Sequence, residues 1–121
     1  MTELAKVRAV VEKYIDATYT GDPVKLRECF HSSAVMNGYL NGELFLGDPS
    51  PFIEEIENSP SMKSAGAPYK AEITAVEVNG KVACATLKET GFAGTLAFTD
   101  FFHLLCENGE WKITSKTFTN E

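Results

Sequence analysis

Hydrophobic positions in the first half of this chain follow mostly the three-and-four spacing of helices, and those in the second half the alternation of strands. Leu4, Val7, Val11, Tyr14, Ile15 and Thr18 fall on one helical face, with Glu3, Lys6, Glu12, Lys13 and Asp16 on the other. Thr2 or Glu3 opens this helix, and Gly21 suits the left-handed residue that ends it. Asp22-Pro23 is the N-cap and first-turn pair of a second, short helix through Leu26 to Phe30. Residues 34–40 and 43–46 then read as two short strands, joined by the tight hairpin signal Asn41-Gly42. Asp48-Pro49-Ser50-Pro51 opens a third helix with Phe52, Ile53 and Ile56 on its apolar side. Residues 58–68 are small, polar and proline-rich, which predicts a loop long enough to form a rim or lid.

The second half alternates throughout. Residues 69–78, 81–90, 95–106 and 110–118 are separated by Asn79-Gly80, Gly91-Phe92-Ala93-Gly94 and Asn108-Gly109. Four strands joined by glycine-containing turns predict an antiparallel meander. Strands this long bend, and a curled sheet needs something in its hollow. The helices of the first half are the only candidates, so the pattern predicts an α+β domain with helices on the concave face.

Bulk properties narrow the setting. A length of 121 residues with no internal repeat predicts one domain, residues 1–121, around one core. The net charge of −6, with eleven basic residues scattered singly, argues against nucleic acid or an anionic membrane as partner. No run has the length of a membrane-spanning helix. The amphipathic, acid-bearing start lacks the layout of a secretory signal, so the expected compartment is the cytoplasm. Cys29, Cys84 and Cys106 are odd in number and widely spaced, which predicts reduced, mostly core thiols.

The candidate chemistry centres on residues 98–105, FTDFFHLL, where Asp100 sits among phenylalanines. An ionised carboxylate in such surroundings is costly, or becomes neutral. Alternation puts Asp100, Phe102, Leu104 and Cys106 on one face and Phe101, His103 and Leu105 on the other. If Asp100 faces the hollow, the opposite apolar face predicts burial against a second subunit, with His103 in that interface. The reverse register would turn His103 toward the hollow. His31 either caps the second helix or stands at the pocket mouth as an acid or base. Met36 points inward as an adaptable wall residue, and Gly38 would leave open space beside it. Phe52 and Ile56 close the pocket from the third helix, or are plain core. Two distant histidines, no HExxH or paired-cysteine motif, and no GxSxG, GxGxxG or Walker loop predict no metal and no cofactor.

The element order and three stretches resemble the NTF2-like superfamily of cone folds. They are VEKYIDATYTGD (11–22), LRECFHSSAVMNGYLNGELFLG (26–47) and FTDFFHLLCENGEWKITSKTF (98–118). Within it the chain looks like the bacterial branch described as SnoaL-like or "putative lumazine-binding", with a more distant likeness to ketosteroid isomerase. The resemblance implies a conical pocket between the concave sheet face and the first and third helices, and a homodimer on the outer sheet face. It places Tyr14 where the isomerase tyrosine stands and Asp100 where its protonated aspartic acid stands; both donate to a developing enolate. The isomerase base would fall on Gly38 or Asn37, and neither accepts a proton at neutral pH. Three functions therefore stand. The first is the binding of a small, mostly apolar ligand through a carbonyl, enol or phenol oxygen. The second is an isomerase, cyclase or dehydratase using Tyr14 and Asp100 as donors, with His31 or a water moving the proton. The third is a protein-binding adaptor without a small ligand.

Overall fold

The first helix starts and stops at capping residues, and the second starts at one. In a computed structural model that describes residues 1–120, α1 spans Glu3–Thr20. The Thr2 side chain accepts from the Ala5 N–H, and Gly21 closes the helix at φ 73°. Asp22 caps α2 (Pro23–Cys29) by accepting from the Lys25 N–H at 3.0 Å. The remaining elements are β1 (Phe30–Leu40), β2 (Glu43–Gly47), α3 (Ser50–Asn58), α4 (Met62–Ala65), β3 (Lys70–Asn79), β4 (Val82–Phe92), β5 (Leu96–Glu107) and β6 (Glu110–Thr119).

The strands form one curved, unclosed sheet in the order β2-β1-β6-β5-β4-β3, the α+β cone of NTF2-like proteins. All neighbours are antiparallel except β1 and β6. Val7, Val11 and Tyr14 of α1 and Leu26 of α2 pack with Leu87, Phe102, Leu104 and Ile113 of the sheet in one buried core. One inward row runs across five neighbouring strand pairs as Phe45, Gly38, Phe118, Asp100, Leu87 and Ile73. The next contains Met36, Lys116, Phe102 and Ala85. Phe101, His103 and Leu105 point outward beside Val82, all exposed. The reverse register, with His103 inward, is therefore not adopted.

The structure differs from the sequence pattern in three places. β1 begins at Phe30, not at residue 34, because the exposed Ser32 and Ser33 interrupt the alternation without ending the strand. Residues 58–68 are not a plain loop. Ser61 caps the single turn α4 and Gly66 closes it at φ 68°. Buried Met62 accepts from the Ala93 N–H through its Sδ at 3.3 Å, which pins this segment to the β4–β5 turn. The cysteines are all free, but only Cys29 is fully buried, and burial pushes its thiol up to about 11. Cys84 is exposed, because alternation on β4 turns it to the outer face.

Candidate functional site

Alternation brings a set of polar side chains to the inner face of the sheet, where water does not reach. Asp100 and Tyr14 are 0 % exposed, Glu89 is 2 % and Lys116 is 5 %. Asp100 comes from β5. Glu89 lies diagonally across on β4, since Leu87 pairs with Asp100 and Glu89 with Phe98. Lys116 lies diagonally on the other side, since Phe118 pairs with Asp100 and Lys116 with Phe102. Diagonal neighbours on one sheet face are within reach of long side chains. From above, α1 lowers Tyr14 between Phe30, Phe52 and Phe102, the last with its ring centroid at 5.0 Å.

The hydrogen bonds in this cluster are few. The Lys116 ammonium donates to the Tyr14 hydroxyl at 2.5 Å. It also sits 4.0 Å from the centroid of the Phe52 ring and 5.5 Å from that of Phe118, within the range of cation–π attraction. Among the described residues, no carboxylate lies within ion-pair distance of its Nζ. Tyr69 donates its hydroxyl to Glu89. No N–H donates to either Oδ of Asp100, whose polar neighbour is the Glu89 carboxyl, and the Thr18 Oγ1 lies one helical turn beyond Tyr14, beside its hydroxyl.

The electrostatics follow from this crowding. Burial, and then the adjoining Asp100 carboxyl, holds Glu89 well above the usual carboxylate range, against the opposing pull of Lys116 and the Tyr69 hydroxyl. Burial, then Asp100 and Glu89, holds the Tyr14 phenol well above its ordinary value. Tyr14 is therefore a neutral hydroxyl at physiological pH. Because it accepts from Lys116, its own hydrogen is left to donate.

The structure brings Tyr14, Asp100, Met36, Phe52 and Phe102 to this interior; Ile56 is half-buried on the core side of α3. Gly38 is also on the inward face but leaves no open space. A Cβ there would stand 2.0 Å from the Phe118 carbonyl oxygen and 2.7 Å from its ring. His31 is not brought to the cluster. Its Nε2 is 3.3 Å from Glu107 and its Nδ1 accepts from the Ser33 N–H, beside a surface cleft of about 410 Å³. Phe101, His103 and Leu105 are on the opposite side of the sheet. Another cleft, of about 380 Å³, is lined by Tyr19 and Tyr69, so it abuts the tyrosine that bonds Glu89.

Lys116, Glu89 and Tyr69 were not singled out from sequence. Glu89 was legible, since it continues the inward series Ala83, Ala85 and Leu87. Lys116 was not. Trp111 and Ile113 face inward, and strict alternation would then turn residue 116 outward. Thr114 is an extra residue in the β5–β6 ladder, where His103 pairs with Ser115 and Leu104 with Ile113. That bulge reverses the parity and turns Lys116 and Phe118 inward.

A curved open sheet covered by amino-terminal helices, with its polar groups at the centre of the concave face, defines an NTF2-like protein. Residues 2–119 match the model of the family described as "Putative lumazine-binding", and the chain belongs to that family. It is similar to an NTF2-like protein of unknown function from Silicibacter pomeroyi DSS-3, with 30% identity, full coverage of both chains and a TM-score of 0.86. A second NTF2-like protein of unknown function, from Shewanella baltica OS155, is 26% identical with a TM-score of 0.85, covering 100% of this chain and 98% of that one. Among characterised proteins, the aldolase FrzH of a Cladobotryum species is 26% identical over 117 residues, 97% of this chain and 90% of that protein.

Proposed function

We propose that the protein binds a small, mostly apolar ligand inside the cone and holds it by a carbonyl, enol or phenol oxygen at Asp100. The observation that carries this reading is the Asp100 carboxyl, fully buried with no N–H donor to either oxygen and only the Glu89 carboxyl beside it. A ligand hydroxyl donating to one of those oxygens, or a carbonyl accepting from the protonated acid, would satisfy it. Tyr14 supplies a second donor from the opposite wall, and Phe102 and Phe52 supply the apolar enclosure. Entry falls to α3, which packs chiefly on α2 and carries the half-buried Phe52 and Ile56. We place the protein as a homodimer joined through the exposed outer face around Phe101 and Leu105.

Binding of 2-naphthol tests the reading. Asp100→Leu should abolish it while raising folding stability by roughly 1–3 kcal/mol, since a buried carboxyl crowded against Glu89 is replaced by an apolar group. Unchanged naphthol affinity in that variant would refute the role of Asp100.

A second reading, enolising chemistry, is favoured by Glu89. It is a second buried carboxyl beside Asp100, and the likeness to an aldolase points the same way. Glu89 would carry the proton that a carboxylate at position 38 carries in ketosteroid isomerases.

A further inference from the structure

Lys116 is the buried nucleophile that neither the ligand-binding reading nor the isomerase comparison uses. It is 5 % exposed, and its Nζ is set among the Tyr14, Phe52 and Phe118 rings. Its one hydrogen-bond acceptor among the described residues is the Tyr14 hydroxyl. Three surface lysines behave otherwise: Lys6, Lys13 and Lys25 are ion-paired to Glu3, Glu28 and Asp16. An amine held in a dry aromatic site, with acids nearby but none in contact, has what covalent amine catalysis needs: fixed position, excluded water and groups to relay protons.

We propose that Lys116 condenses with the carbonyl group of an apolar ketone or aldehyde to form an imine, with Asp100 and Tyr14 moving the protons. The ammonium proton passes to the Tyr14 hydroxyl, its one hydrogen-bond acceptor, as Tyr14 gives its own hydrogen to the adjoining Asp100 carboxylate. The Nζ lone pair attacks the carbonyl carbon, a C–N bond forms, and the π pair moves to oxygen. That oxygen is protonated by Tyr14, which is restored by Asp100. A second proton from the nitrogen then accompanies its departure as one molecule of water, as the C=N bond closes. Loss of a proton from the neighbouring carbon gives the enamine, a carbon nucleophile. Phe52 covers Nζ from α3, so withdrawal of α3 exposes the amine and its return seals the adduct from hydrolysis. This inference deepens the ligand-binding reading and rests on it, because the same oxygen that Asp100 would hold is the one that leaves.

Benzoylacetone, an apolar 1,3-diketone that is largely enolised, separates the two ideas in one experiment. With a reactive lysine it condenses, losing one water, to a stable enaminone visible by its near-ultraviolet absorbance and by intact mass. Reversible binding is read by equilibrium dialysis at short times, and covalent product by mass after long incubation, with peptide mapping. The inference predicts a single adduct on Lys116, faster than on any surface lysine by at least tenfold, and none on that peptide in Lys116→Met. Reversible binding without an adduct, or an adduct spread over surface lysines, would overturn the imine and leave the ligand site standing. Neither binding nor adduct would overturn both. Mapping in the unaltered protein keeps the test decisive should Lys116→Met fold poorly.

Discussion

Glu89 shows what a buried cluster costs the fold and how that cost depends on pH. Its folded pKa lies well above the unfolded value, because burial and then Asp100 disfavour its anion. Between those two values the native chain holds a proton that the unfolded chain has released. Stability therefore falls as pH rises past about 4.5, and the loss is complete only above the folded pKa. Glu89→Gln should remove this term, so that urea midpoints of the variant exceed those of the parent increasingly toward alkaline pH. Parallel midpoint curves at all pH values would show that Glu89 is not buried against Asp100. At this scale the sequence was half legible. Asp100 announced itself by standing among phenylalanines, and Tyr14 by its place on the buried helical face. Lys116 was concealed by a single bulged residue, Thr114, that no period-two pattern can register.

Elements decide which chemistry can be borrowed from relatives. β1 and β6 run parallel and approach so closely at Gly38 that a side chain has nowhere to go, because the Phe118 backbone and ring already occupy its place. Restoring an isomerase-like base by Gly38→Asp should therefore destabilise the protein by roughly 3 kcal/mol or more and yield no isomerase activity. A well-folded variant with unchanged thermal midpoint would disprove the close packing. The element pattern itself was readily legible. Caps at Thr2, Asp22 and Gly21 act locally, so helix ends follow from sequence. The start of β1 and the turn α4 were less so, because the first depends on pairing with β6 and the second on Met62 docking beside Ala93. Both are tertiary effects that override local preference.

For the whole molecule, one sheet serves two surfaces. Its concave side encloses the polar cluster, while its convex side exposes Phe101 at 54 %, Val82 at 52 % and Leu105 at 44 %. A face this apolar is unusual for a monomer. Phe101→Glu is expected to convert a dimer to a monomer in light scattering while leaving 2-naphthol binding in place; a parent chain that is monomeric at all accessible concentrations contradicts the dimer. The cone was legible because the second half of the chain alternates throughout, and because an antiparallel meander of long strands has few ways to bury one face. The function was not, since the same fold hosts many functions. The cluster at Asp100, Tyr14 and Lys116 is what distinguishes this interior from a plain core.

In the proposed site it is Asp100 that meets the ligand. Carbon-13 NMR of the side-chain carboxyls, with the Asp100 signal identified by its loss in Asp100→Asn, reads that contact directly during a titration with 2-naphthol. The Asp100 resonance is expected to shift and to saturate together with binding. A protein that binds 2-naphthol while that resonance stays in place, or that does not bind it at all, would rule out Asp100 as the ligand's partner.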